Sequence, residues 1–193
     1  MKYIIVCGPT AAGKDTVIDE LVKEINQEKP GLLNKTWYYT TRREVRPGED
    51  PNAEYFLSEE EFDQKIARGE FFSHGTNAGY RVATSYSQLN QEGNIVISIT
   101  TQYLERLKDY AAKNGVEALS ILVTAPREVR ANRIRMRESW LFTEPVEDKI
   151  EQDISKEGTE LGKEFDIRIE NKEGQFDETM REVIPKVREF LSK

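Results

Sequence analysis

The segment that most restricts this chain is Gly8-Pro9-Thr10-Ala11-Ala12-Gly13-Lys14, spaced G-x-x-x-x-G-K directly after the apolar run Tyr3–Cys7. A continuous apolar run reads as a strand buried on both faces of a parallel sheet. After the glycines, Val17, Leu21, Val22 and Ile25 recur at helical spacing until Pro30-Gly31 ends the segment. Strand, glycine loop and helix in this order make a phosphate cradle. The glycines let successive backbone N–H groups converge on an anion, the helix N-terminus adds its positive dipole end, and Lys14 reaches the transferring group. An ordinary glycine turn before a helix requires neither the preceding strand nor the lysine. Gly8, Pro9, Thr10, Ala11, Ala12, Gly13, Lys14, Asp15 and Thr16 are therefore expected around the phosphates of ATP, with Lys14 catalytic.

Asp15 stands where this motif usually carries a Ser or Thr hydroxyl on Mg²⁺, with Thr16 following. Mg²⁺ prefers hard oxygen ligands, so Asp15 can hold the metal directly or through water. An acid is also welcome at a helix N-terminus, and Asp15 as a simple helix cap is the equal alternative.

Further strands are expected at Ile95–Ile99, Leu119–Val123 and Asp166–Ile169, separated by helical stretches. Alternating strands and helices imply an α/β fold with a parallel sheet flanked by helices, here a P-loop kinase fold. The C-terminal stripe Phe176, Met180, Val183, Ile184, Val187, Phe190 and Leu191 should pack on that sheet. Two stretches interrupt the alternation. Trp37–Ser85 holds Arg- and Gly-rich turns, short aromatic strands at Tyr38-Tyr39 and Phe71-Phe72, and a helix opened by the capping box of Ser58 and Glu61. It reads as an inserted lobe. Arg137–Val146, before a helix that Pro145 suits, reads as a lid. The resulting division is a single domain with core 1–36, 86–136 and 147–193, acceptor-binding lobe 37–85 and lid 137–146.

Two basic clusters accompany the loop. Arg42 and Arg46, followed by Tyr55, make either a phosphate clamp or a solvated basic turn; a second phosphate site beside a P-loop is what phosphoryl transfer requires. Arg130, Arg133 and Arg137 project from one side of a helix, either as a solvated face or as positive charge for the transition state, and Lys149 adds a cation beyond the lid. A formal charge of −7 argues against sequence-independent nucleic-acid binding. No apolar run is long enough to cross a bilayer and no charged-then-apolar leader is present. With Cys7 as the only cysteine, a cytoplasmic protein without an internal disulfide is expected. His74, the only histidine, has no partners at ligand spacing and receives no role.

The segments IIVCGPTAAGKDT, YYTTRREVRPGE, EYF, EEEFDQKIARGEFF and GYRVATS, in this order, resemble the guanylate kinase family over nearly the whole chain. The resemblance implies an ATP-binding core, a lobe for a small phosphorylated acceptor, and a closing lid, with Mg²⁺ as cofactor. It puts Arg42, Arg46 and Tyr55 on the acceptor phosphate assisted by Thr84, Arg133 and Arg137 at the transition state, and Asn171 at the adenine. Tyr38 falls at a base-contacting serine of the family. Departures follow the acceptor side. Ser73, Ser98 and Thr100 replace carboxylates that read guanine, Val82 replaces the second of two tyrosines, an extra residue separates Arg42 from Arg46, and Lys149 replaces a lid arginine. The Gly-Lys-Asp sequence also resembles the loop of ribose 1,5-bisphosphate kinases and some viral deoxynucleotide kinases.

The sequence disfavours two rival functions. A P-loop GTPase or motor ATPase needs a strand ending in an acidic Mg²⁺ ligand, and Ile95–Thr100 ends without one. A non-catalytic scaffold of the same shape has no need of an intact glycine loop and Lys14.

Overall fold

The computed structural model describes residues 1–42, 54–77, 79–141 and 162–193, with the side chains of Glu54, Asn77 and residues 137–141 outside that description. In chain order the elements are β1 (Lys2–Cys7), α1 (Lys14–Glu28), β2 (Leu33–Lys35), β3 (Tyr38–Thr40), β4 (Glu54–Phe56), α2 (Glu59–Ala67), β5 (Phe71–Asn77) and β6 (Tyr80–Ser85). They continue with α3 (Tyr86–Leu89), β7 (Asn94–Ser98), a 3-10 turn at Thr101–Tyr103, α4 (Leu104–Lys113), β8 (Glu117–Thr124), α5 (Arg127–Leu141), β9 (Ile167–Glu170) and α6 (Phe176–Ser192).

The first sheet runs β2-β7-β1-β8-β9, with every pairing parallel. β1 lies in the middle, which is why Tyr3–Cys7 is apolar at every position. Ile4 and Val6 pack with Val17, Leu21 and Ile25 of α1 and with Met180, Val183 and Val187 of α6. Tyr3, Ile5 and Cys7 face the other way, onto Leu104, Leu107 and Ala111 of α4. Each Val, Leu, Ile or Met side chain among them contributes roughly 1.5–3 kcal/mol when taken fully out of water. The edge strand β2 escapes a reading based on apolar runs, since only Leu33 in it is buried. Its place is fixed by the side chain of Asn26, which donates to the Leu33 carbonyl at 2.9 Å and accepts from the Leu33 N–H at 3.0 Å.

A second sheet, ordered β4-β3-β6-β5, is built from the stretch between β2 and α3. One face carries Tyr39, Phe71 and Ala83 against Phe62 and Ile66 of α2. α2 starts on the capping box expected from the sequence: Glu61 N–H donates to Ser58 Oγ, and the Ser58 N–H donates to Glu61. The register of β5 against β6 slips between Phe71 and Ser73. The extra residue at this bulge, Phe72, turns out of the lobe and packs with Tyr86 and Tyr110 in the core cluster. Gln88 donating to the Trp37 carbonyl at 2.6 Å and Tyr103 donating to the His74 carbonyl at 3.0 Å tie the sheets together further.

The stretch 137–146 begins inside α5, which continues to Leu141, and its remainder lies outside the described residues. No helix among the described residues is long and apolar enough to cross a membrane.

Candidate active site

The loop between β1 and α1 is shaped by close approach on both sides. At Gly8 a Cβ would stand 2.0 Å from the Val123 carbonyl oxygen of β8, so only glycine lets the chain leave the sheet here. The Ala12 N–H donates to the Pro9 carbonyl at 3.3 Å, and the Val17 N–H donates to the Gly13 carbonyl at 3.0 Å, opening the helix. Gly13 has φ +93, and Ala11 is the one non-glycine with positive φ among the described residues, at +60. Lys14 bends back along the loop, and its Nζ donates to the carbonyls of Gly8 and Pro9 at 2.9 Å each. Its ammonium is thereby stationed over the loop. Asp15 and Thr16 follow, both exposed in the first turn of α1.

Arg130 and Arg133 of α5 are turned inward. Arg130 is 2% exposed and its Nε donates to the Ala125 carbonyl at 3.3 Å. Arg133 reaches the phosphate loop itself, with Nη1 donating to the Ala11 carbonyl at 3.1 Å. These residues therefore do not form a solvated face. Arg137 lies on the same helix with its side chain outside the described residues, and Lys149 falls outside them altogether. Asn171, one residue past β9, is 5% exposed and donates through Nδ2 to the Ala12 carbonyl at 3.0 Å. It is thus bound to the loop.

In the lobe, strand alternation sorts the expected acceptor residues by face. The bulge brings Ser73 opposite Thr84, and both are buried. Tyr38 and Val82 share that face, since their neighbours Tyr39 and Ala83 are the pair that faces α2. Tyr55 is paired with Tyr39 and stacks on it, centroids 5.5 Å apart and planes at 28°. It lies on the α2 face, 51% exposed, away from Tyr38, Ser73 and Thr84. The register partner of Tyr38 on that strand is Glu54, so one residue of register separates the expected arrangement from the observed one.

Arg42 is buried just beyond β3. The Thr40 hydroxyl accepts its backbone N–H at 3.1 Å, and the Thr41 N–H donates to the Arg81 carbonyl at 3.0 Å. Glu59 accepts from the Thr41 hydroxyl and from Arg81, which together hold its carboxyl below the ordinary glutamate range. Arg46 lies outside the described residues. Ser98 and Thr100 belong to the other sheet. Ser98 is buried opposite Val6 at the end of β7, and Thr100 is exposed in the turn that follows.

A family model named "Guanylate kinase" matches residues 1–191. This chain belongs to the guanylate kinase family. A guanylate kinase of Nostoc sp. is 32% identical over 88% of this chain and 82% of its own length. Those of Prochlorococcus marinus, 31% identical over 95% of both chains, and Malacoplasma penetrans, 28% identical over 88% and 85%, are similar throughout. The crystal structure of guanylate kinase from Anaplasma phagocytophilum matches with TM-score 0.62 at 17% identity, covering 100% of this chain and 87% of that one, a likeness of fold. As a member of the family the chain is an ATP-dependent nucleoside monophosphate kinase, and its parallel sheet, phosphate loop and Lys14 are those of a P-loop enzyme.

Within this guanylate kinase-like site, the donor set suits Mg²⁺ in kind. Asp15 and Thr16 offer hard oxygens immediately after the loop. No group of three His, Cys, Asp or Glu among the described residues could hold an ion alone. ATP phosphates and water would complete the shell. Two features of the site carry no sequence signal: the left-handed turn at Ala11, which presents its carbonyl to Arg133, and the hydrogen bond by which Asn171 holds the Ala12 carbonyl. The short helix α3 did carry one, because Ser85 and Gln88 form an S-x-x-Q capping box.

Proposed function

We propose that this enzyme transfers the γ-phosphoryl group of ATP to GMP or dGMP with weaker base discrimination than a carboxylate pocket gives. The observation that carries this is the placement of Ser73 in register with Thr84, beside Tyr38 and Val82, on the lobe face opposite α2. Hydroxyls both donate and accept, so they pair with several base edges, whereas a carboxylate selects the N1–H and N2–H₂ edge of guanine. Arg42, with Arg46, is suited to a 5′-phosphate through its planar fork and is blind to the base. Ser98 and Thr100, at the end of β7, complete the acceptor side in this reading. Lys14 neutralises the transferring group, and Arg133 with Arg137 adds charge on its equatorial oxygens. Mg²⁺, held by Asp15 or through its water, would neutralise β- and γ-phosphate charge when bound.

The second reading, a kinase for ribose 1,5-bisphosphate or another phosphorylated acceptor, is favoured by Asp15 after Lys14 and by a phosphate site that does not depend on a base. The measurement is ATP consumption with GMP, dGMP, AMP, CMP, UMP, dTMP and ribose 1,5-bisphosphate assayed side by side. Turnover on GMP and dGMP with measurable activity on other monophosphates is expected. Activity on the sugar bisphosphate alone would refute the nucleotide reading, and a sharp preference for GMP would refute the hydroxyl pocket.

A further inference from the structure

We propose that Asn171 is a positioning residue of the phosphate loop, fixing the Ala12–Gly13 peptide so that the Gly13 N–H faces the phosphates of ATP, rather than a reader of adenine. Its backbone is anchored first. The Asn171 N–H donates to the Thr124 carbonyl at 2.7 Å, extending the β8–β9 ladder one step beyond its last pair, Thr124 with Glu170. The Thr124 hydroxyl donates to the Ile169 carbonyl at 3.1 Å and closes the same corner. A side chain mounted there has little freedom, and this one is 5% exposed.

The side chain is spent on the loop. Nδ2 donates to the Ala12 carbonyl at 3.0 Å, and the partner's being a carbonyl decides which end of the amide faces it. In a trans peptide C=O and N–H point in opposite directions, so holding the Ala12 oxygen on Asn171 turns the Gly13 N–H to the other side, where the loop's amides gather. Contact is close enough to dictate residue choice on the loop: a Cβ at Gly13 would lie 2.2 Å from Asn171 Nδ2. The peptide before it is held in the same way, by Arg133 on the Ala11 carbonyl. Asn171 and Arg133 thus brace successive peptides of a loop that already includes a left-handed alanine.

The inference rests on Gly8–Lys14 as the donor phosphate site and is independent of the acceptor. The test is calorimetric binding of ATP and of inorganic triphosphate, which has phosphates but no base, to wild type, Asn171→Ala, Asn171→Asp and Lys14→Ala, with melting temperatures as the control for folding. Asn171→Asp keeps the shape of the side chain and loses the donor, so it carries the test should the alanine variant fold poorly. Expected is a loss of about tenfold in affinity for both ligands, by the same factor within each variant. A loss confined to ATP, with inorganic triphosphate unchanged, would make Asn171 a base contact and overturn the proposal. Unchanged affinity for both ligands would also overturn it. Should Lys14→Ala keep wild-type affinity for both, the loop assignment itself fails, a result separate from the behaviour of Asn171.

Discussion

The phosphate loop and the lobe of the second sheet are held by different means. Around the loop, nearly every restraint ends on a backbone carbonyl: Lys14 on Gly8 and Pro9, Arg133 on Ala11, Asn171 on Ala12, with Gly8 wedged against Val123. The lobe is held by rings and charges. Phe62 packs on Phe71 at 4.9 Å, Arg81 lies over the Phe62 ring at 4.3 Å, and ion pairs join Arg81 to Glu59 and Asp63 and Lys65 to Glu70 at the surface. Loop carbonyls held at both ends, by β1 and by α1, and by these bonds between them leave little room for adjustment, whereas ring packing and exposed pairs adapt to substitution. The loop should therefore fail abruptly when altered and the lobe by degrees.

The contrast is strongest at Lys14. Lys14→Ala should lower kcat by about 10³–10⁵, the range measured for cationic contacts of comparable purpose in phosphoryl transfer. The melting temperature should hardly move, because the side chain is only partly buried and its bonds go to loop carbonyls. Steady-state kinetics with a melting curve reads both, and near-normal turnover would break the assignment of the donor site. Phe62→Ala should be the largest change available in the lobe. The ring is fully buried, and its loss should cost about 3–5 kcal/mol of stability. Because Phe62 lies under the lobe sheet, acceptor KM should rise while KM for ATP holds; an equal rise in both would mean the two halves do not behave separately.

How far the sequence reveals each half follows from the same difference. The strand, loop and helix of the donor side are written in a contiguous stretch, Tyr3 to Ile25, because the parallel sheet demands apolar residues at every position and the loop demands glycines. The C-terminal stripe and the Ser58 capping box are local patterns too, and the structure contains both. The lobe is less legible because strands of three residues carry almost no periodicity, and the face of a side chain depends on a register that is not local. Tyr55 shows the consequence, since a resemblance built on EYF cannot tell which of Glu54 and Tyr55 shares a face with Tyr38. Phe72 shows it again, a lobe residue by position that a bulge sends into the core. Asn171 is visible as a polar residue after a strand, but its hydrogen bond runs to a residue 159 positions away.

Acid should loosen the lobe before the sheet of the core. Three of its carboxyls sit below the ordinary glutamate range: Glu59 through the Thr41 hydroxyl and Arg81, Glu61 through the Ser58 N–H and hydroxyl, and Glu70 through Lys65. A carboxyl whose folded pKa is depressed stabilises the fold above its unfolded pKa, near about 4.3 for glutamate, and that contribution disappears as pH falls through the folded value. Glu59 and Glu61 are exposed and Glu70 is half-buried at the surface, so the effect is modest and should weaken with salt. Amide protection in α2 and β6, corrected for intrinsic exchange, should begin to fall as pH drops below about 4.5, ahead of β1 and β8. Loss of protection in β1 first would reverse the ranking of the two halves.

The smallest expected effect is the sharpest test of how the lobe is arranged. Tyr55 lies on the α2 face with its ring stacked on Tyr39 and T-shaped to Trp37, centroids 5.5 Å apart in both pairs. A ring in such a stack contributes through its face, and aromatic pairs are worth about 0.5–1.5 kcal/mol beyond the area they bury. Phenylalanine keeps that face. Tyr55→Phe should therefore leave acceptor KM and kcat within about twofold of wild type, while Tyr55→Ala should lower lobe stability by roughly the value of the lost stack. The resemblance to the family implies the opposite, a hydroxyl on the acceptor phosphate, and losing such a charge-assisted bond would cost about 1.5–3 kcal/mol, or at least tenfold in kcat/KM. The two expectations differ by more than kinetic error. A tenfold loss in Tyr55→Phe would mean that β4 re-registers by one residue when the acceptor binds, carrying Tyr55 to the face of Ser73 and Thr84; a value near wild type leaves the lobe with the faces assigned by its strand pairing.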